Sequence, residues 1–326
     1  MLIPVLLFAL GLVLLIKGGD WFVDGATGIA ERFHVPEIII GATVVSIGTT
    51  LPEVMVSATS ALTGHGEIAY GNAIGSIICN TSLIAALTVA IRPGPVDTKA
   101  LKTPVLFFFG SAAIYVINAY VTGYFGRPLG ILLLAIFVVY LVVTVRQGFK
   151  NPAGAAAEEA EAVEEEAAKN SMVKDILLLV IGAALVAVGA DLLVDNGTLI
   201  AQALGVPESV IALTFVALGT SLPELVTAIT SLAKGHGSLS LGNVIGANIF
   251  NLVLVSGASM TLAPFRIPQS STLFGVNSSL VLDVPLMLFV MAFLTLPALK
   301  AKKLFRYQGI VLLILYAAFC GIQFTM

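Results

Sequence analysis

Long apolar runs recur along the chain, separated by short polar breaks. Stretches able to cross roughly 30 Å of hydrocarbon, about 20 residues each, fall near 2–18, 38–62, 68–91, 103–121 and 128–145. Five more fall near 175–194, 209–233, 239–261, 279–299 and 307–324. The pattern predicts an all-α polytopic membrane protein with ten transmembrane helices. Residues 19–35 and 190–205 can be read as continuations of long, tilted first and sixth helices. The opening run MLIPVLLFALGLVLLI has neither a basic n-region nor a small-residue cleavage site, so it reads as a retained first span.

Composition sharpens this picture. Hydrophobic residues make up 58% of the 326 and charged residues 11%, against roughly 45–50% and 25% in an ordinary soluble domain, which excludes a soluble globular protein. A net charge of −3 with no Lys/Arg-rich face argues against nucleic-acid partners. Cys79 and Cys320 both lie inside apolar runs and read as small core residues, not as a disulfide framework or zinc ligands. No H-E-x-x-H or nucleophile elbow is present, so no enzyme and no cofactor are expected.

Orientation follows from Lys and Arg, which are in excess on cytoplasmic flanks. With the N-terminus outside, the inner loops hold Arg32, Arg92, Lys99, Lys102, Arg146, Lys150, Lys169, Lys174, Lys234, Lys300, Lys302, Lys303 and Arg306. Only Arg127 and Arg266 fall outside, and Lys17 lies within the first span. Both termini are therefore expected outside and the central loop in the cytoplasm, with the plasma membrane as the expected location. That loop, residues 151–172, is Ala/Glu-rich without an apolar face and reads as a tether between a first five-helix unit, 1–150, and a second, 173–326. Calcium sensing by its glutamates is the weaker reading, because sensor loops need Asp and Gly at fixed spacing.

The two units are copies. Shifted by 171 residues, 36–80 aligns with 207–251 without a gap, and 21 of the 45 positions are identical. Asp20 and Asp24 recur at the same offset as Asp191 and Asp195. Five spans precede the second copy, and five is odd, so equivalent helices cross in opposite directions as inverted repeats. Secondary transporters commonly use this plan, with the substrate held at mid-membrane where interrupted helices of the two halves meet.

The chemistry concentrates in SIGTTLPEVM and ALGTSLPELV. Each proline lacks an N–H and crowds the carbonyl four residues back, so a break or kink is expected around Ser46–Thr50 and Ala217–Ser221. After each proline stands a carboxylate, Glu53 or Glu224, expected in the first turn of the following half-helix, where the helix dipole favours an anion. Carboxylates with carbonyl oxygens form the ligand set of a hard cation such as Ca2+. A charge at the bilayer centre costs about 2.5–3.5 kcal/mol on insertion scales, and such groups are functional by default. Two adjacent carboxylates cannot both stay ionised without a cation, so protons, Na+ or Ca2+ must compete for them.

The next helices add Ser76 with Asn80, and Ala247 with Asn251, at i, i+4 spacing on one face. In GNAIG and GNVIG, glycines four apart allow close approach of a neighbouring helix, and Asn72 and Asn243 on that side are assigned a structural role. His65 and His236, in GHG turns, read as turn residues. Asp20, Asp24, Asp191 and Asp195 read as solvated or capping groups, and Asp283 has no repeat partner and no assigned role.

Through GTTLPE with GSIICN, and GTSLPE with GANIFN, the chain resembles the cation/Ca2+ exchanger superfamily, Na+/Ca2+ exchanger type, in its prokaryotic-like form with two inverted α-repeats. The resemblance covers both repeats. The proton-coupled branch usually carries GN-x-x-E in place of GT-x-x-PE, which favours Na+ coupling here. The resemblance implies that Glu53 and Glu224 bind Ca2+ together with the backbone carbonyls of Thr49 and Thr220. Na+ would use Ser46, Thr50, Ser76, Asn80, Ala217, Ser221 and Asn251, sharing the glutamates. The family commonly has serine where Ala247 stands and an acid where Asn251 stands, so the number of Na+ ions per cycle stays open, and H+ or Li+ coupling is conceivable. The expected activity is Ca2+/Na+ antiport by alternating access, with a Ca2+/H+ antiporter and, less favoured, a cation channel as alternatives.

Overall fold

A computed structural model of the chain describes residues 2–150, 172–203, 219–269, 272–273 and 275–325. Ten apolar helices follow the hydrophobic runs: α1 Leu2–Arg32, α2 Glu37–Leu62, α3 Gly66–Ile91, α4 Thr98–Val121, α5 Arg127–Lys150, α6 Met172–Ala203, α7 Leu222–Ala233, α8 Gly237–Leu262, α9 Ser279–Ala301 and α10 Arg306–Thr325. Nine of them are long and apolar enough to cross a membrane, by length and composition, among the described residues. The tenth, α7, starts at Leu222 after a turn at Thr220 and Ser221, within the stretch where a break is expected, and 204–218 lie outside the described residues. The tether at 151–171 also lies outside them. The first and sixth helices do extend as expected, α1 to Arg32 and α6 to Ala203.

Local sequence sets several helix ends. The Asp97 carboxylate caps α4 by accepting from the backbone N–H of Lys99 and Ala100, at 2.9 and 3.2 Å. The turns after α2 and α7 need a left-handed residue, supplied by Gly64 (φ +85°) and Gly235 (φ +91°), and glycine alone adopts this without steric cost. His65 and His236 then occupy the N-cap positions of α3 and α8, without a side-chain bond to the helix N–H groups.

The proline in the first copy does not break its helix. From Ser46 to Leu62, α2 is continuous with Pro52 inside it, and the irregularity sits upstream as a π-helical turn at Gly41–Val45. Pro52 only removes the donor to Gly48, whose missing side chain eases crowding. In the second copy the described helix begins at the proline: Ser221 is the N-cap and Pro223 lies in the first turn, where its missing N–H is harmless.

The helices with the most buried spans are α8 (83%), α3 (72%) and α2 (61%), whereas those of α1, α5, α6 (22% each) and α10 (17%) lie at the periphery. Exposed Leu6, Ile117, Val138 and Ile314 point outward, where hydrocarbon is the compatible solvent. The inverted relation is visible in helix packing. A Cβ on Gly11 would come within 2.9 Å of the Gly189 carbonyl oxygen, and one on Gly18 within 3.0 Å of that of Gly182. By the repeat offset Gly11 corresponds to Gly182, and Gly18 to Gly189. The two contacts are therefore one contact seen twice, and α1 and α6 run antiparallel around a pseudo-two-fold axis.

Candidate cation site

The two copies of G-T-[ST]-L-P-E meet at the centre of the molecule. From α2 and the start of α7 come Thr49, Thr50, Glu53, Ser221 and Glu224; from α3 and α8 come Ser76, Asn80 and Asn251. All eight are buried, and both glutamates have no exposed surface at all. Glu53 and Glu224 lie close enough to interact electrostatically, and the Thr49 and Thr50 side chains adjoin the Glu224 carboxylate.

Few of these polar atoms are spent on one another. All four carboxylate oxygens of Glu53 and Glu224, the hydroxyls of Thr50 and Ser221, and both amide atoms of Asn80 and of Asn251 lack a hydrogen-bond partner among the described residues. A buried polar group without a partner costs roughly 1–3 kcal/mol, and more if charged, so this many together mark a place where something else supplies the contacts. Among the described residues no three His, Cys, Asp or Glu side chains gather as a metal centre. A cation here must therefore draw on neutral hydroxyl, amide and carbonyl oxygens around two carboxylates, which is hard-cation chemistry.

The scaffold around the site repeats across the axis. Thr49 donates its hydroxyl hydrogen to Asn243 Oδ1 (3.2 Å), and Thr220 donates to Asn72 Oδ1 (3.3 Å). Asn72 also donates to the Glu53 carbonyl (3.2 Å) and to Ser57 Oγ (2.8 Å). Both asparagines make the hydrogen bonds expected of a structural role, and each reaches into the opposite half, coupling the repeats at the site. Asn80 and Asn251 both open a π-helical turn, Asn80–Ala85 and Asn251–Val255, an irregularity frequent at functional sites. The π turn of α2 is held from α5, where Tyr140 donates to the Ala42 carbonyl at 2.8 Å.

A family model described as sodium/calcium exchanger protein matches residues 3–146 and 174–325. The chain belongs to this family. Among curated relatives of this exchanger family member, the uncharacterized membrane protein MJ0091 of Methanocaldococcus jannaschii is 39% identical, over 95% of this chain and 94% of the relative. The sodium/calcium exchanger MaX1 of Methanosarcina acetivorans is 30% identical over 98% of each. A solved structure of the sodium-calcium exchanger NCX_Mj matches with a TM-score of 0.78 and 35% identity, covering 98% of both chains. The exchanger is thus a polytopic, mostly helical integral membrane protein of a transport family.

Not every residue expected at the site offers its side chain there. The Ser46 hydroxyl hydrogen is shared between the Gly41 carbonyl (2.7 Å) and the carbonyl of Asn243 (3.0 Å). Thr220 is only half-buried, Ala247 is fully buried, and Ala217 lies outside the described residues. Gly242 and Gly246 meet α2 as expected: a Cβ on them would fall 2.2 Å from the Ile38 carbonyl oxygen and 2.6 Å from Ala42 Cα. The counterparts of those neighbours for Gly71 and Gly75 are 209 and 213, outside the described residues. Sequence reasoning missed Asn248, whose amide donates to Thr81 Oγ1 at 2.7 Å deep between the repeats; its counterpart Ile77 breaks the pattern that would have flagged it.

The two flanks of the site are packed differently. On α2, Leu51 and Met55 are 53% and 66% exposed. They line a cavity of about 730 Å3 together with Phe22, Gly48, Ala183 and Ala187. On α7 the equivalent Leu222 and Val226 pack on α1 around Leu15, and a Cβ on Gly19 would reach within 2.7 Å of Val226. Lys234, just past α7, closes this flank by contacts to α1 with Asp24 Oδ1 (2.7 Å), the Asp20 carbonyl (3.1 Å) and Asp20 Oδ1 (3.6 Å). The counterpart of Lys234 is Thr63, which cannot form such a bridge.

Proposed function

We propose that this chain exchanges Ca2+ for Na+ across the membrane by alternating access. Ca2+ binds between Glu53 and Glu224, with the carbonyls of Thr49 and Thr220, and Na+ uses the same glutamates with Thr50, Ser76, Asn80, Ser221 and Asn251. The observation that carries the reading is the pair of fully buried carboxylates from equivalent positions of inverted halves, with all four oxygens unpartnered among the described residues. The naming of MaX1 and NCX_Mj as sodium/calcium exchangers supports the ion pair.

Competition is the coupling. One Ca2+ or two Na+ balance two carboxylates, and the site without either leaves two buried charges uncompensated, which opposes crossing of the empty carrier. The α1/α6 pair, joined through glycines, moves as one slab against α2, α3, α7 and α8. The cavity between α2 and α6 and the sealed α1/α7 flank fit a carrier open on one side. The excess of Lys and Arg at the Lys234 end supports that end as cytoplasmic and the cavity as outward-facing, with both chain ends outside the plasma membrane.

In reconstituted vesicles, Ca2+ uptake is expected to follow an imposed outward Na+ gradient and to vanish in Glu53→Gln and Glu224→Gln. Uptake driven by a pH gradient without Na+ would replace this reading with Ca2+/H+ antiport. Response to an imposed membrane potential reads whether Na+ beyond two accompanies each cycle.

A further inference from the structure

The α7/α8 seam differs in chemistry from its counterpart between α2 and α3. Glu224, Thr227 and Ser231 follow one stripe of α7, about 110° around the helix from Val226 and Thr230, which meet α1. Ser240 and Asn243 stand one turn apart on α8, which packs against α7. Thr227, Ser231 and Asn243 have no exposed surface, and Ser240 has 2%. Yet Thr227 Oγ1, Ser231 Oγ, Ser240 Oγ and Asn243 Nδ2 all lack a hydrogen-bond partner among the described residues.

By the repeat offset the counterparts are Val56, Ser60, Ala69 and Asn72. There the amide of Asn72 is satisfied by Ser57 Oγ and the Glu53 carbonyl. In the second half Ala228 replaces Ser57, removing an oxygen beside the Asn243 amide, while two apolar side chains, Val56 and Ala69, become the hydroxyl-bearing Thr227 and Ser240. The polar row starts at Glu224 and ends at Ser240, which lines a cavity of about 260 Å3 with Thr88, Arg92, Asp97, Leu232 and Gly235 at the Lys234 end. Water takes about 30 Å3 per molecule in the liquid and settles in buried space where it finds two to four polar partners. At membrane depth, unpaired polar groups are tolerated where they line water.

We propose that the seam of Thr227, Ser231, Ser240 and Asn243 holds a file of water that joins Glu224 to the cavity at Ser240 and receives the leaving cation only in the form of the carrier that is open at the Lys234 end and closed to the other side. The file keeps a leaving hard cation hydrated in place of its carboxylate oxygens, and runs on the face of α7 next to the one that meets α1. It rests on the reading of Glu224 as a cation ligand.

The test uses single cysteines at 227, 231 and 240 in the full chain with C79A and C320A, and a charged, membrane-impermeant thiosulfonate applied at the Lys234 end. T227C, S231C and S240C are expected to react well above V244C, a fully buried apolar position on α8. Reaction no faster than V244C overturns the proposal. High-resolution density of the unmodified protein is expected to show water on the four polar atoms, and a dry seam with hydroxyls turned to their own helix carbonyls overturns it without any variant. T227V/S231A is expected to slow Ca2+ release toward the Lys234 end about tenfold, with equilibrium Ca2+ affinity held; unchanged release refutes the passage. Normal Ca2+ binding by E224Q would instead defeat the ligand assignment, leaving the seam's reactivity standing.

Discussion

Glu53 and Glu224 are legible as residues from sequence because a carboxylate after a proline inside an apolar run, occurring twice at one offset, has no cheap structural explanation. In the proposed site, removing one charge leaves the cation a single carboxylate. Ca2+ affinity is expected to fall about a hundredfold in E224Q, roughly 2.8 kcal/mol, measured by calorimetry in detergent, and equally in E53Q if the halves contribute alike. Asn243 and Asn72 were less legible, since nothing local says that each reaches across to the other repeat's threonine. A double-mutant cycle of T49V with N243A is expected to give a coupling of about 1 kcal/mol in Ca2+ binding, and additivity would remove the positioning role.

At the scale of elements, helix content followed from apolar runs and capping residues, but the fate of each proline did not. Pro52 and Pro223 sit in nearly the same words of sequence, yet one lies inside a continuous helix and the other in a first turn. The difference is set by neighbours, which decide whether the freed carbonyl is tolerable. The α1/α6 pair depends on glycine in a directly testable way. A side chain at Gly18 would meet Val186 N at 2.8 Å, so G18V is expected to lower stability by about 1–3 kcal/mol in thermal unfolding. G110A, on the exposed and unobstructed surface of α4, is expected to unfold at or slightly above the parent temperature.

At the scale of the whole molecule, two sequence-related halves adopt unequal packing, and Lys234 stands where the asymmetry is chemical. Its nitrogen reaches Asp24 and Asp20 of α1 only on the sealed flank. These are partly exposed contacts, Asp24 being about half exposed, so the latch is worth no more than about 1 kcal/mol after solvent screening. K234A is expected to shift the carrier about two- to fivefold toward the form open at the Lys234 end. Spin-label distances between α1 and α7 read this shift, and an unchanged distribution would remove the latch.

Sequence alone determined the spans, the duplication, the inversion and the two acids, because hydrophobic length, repeat offset and the parity of crossings are properties of a line of residues. Tertiary structure alone decided that Asn72 and Asn243 exchange partners, that the α2 face is uncovered while α7 is sealed by α1, and which polar atoms remain unpaired at the centre. Those outcomes depend on which surfaces meet, and two near-identical segments meet different surfaces in the folded chain.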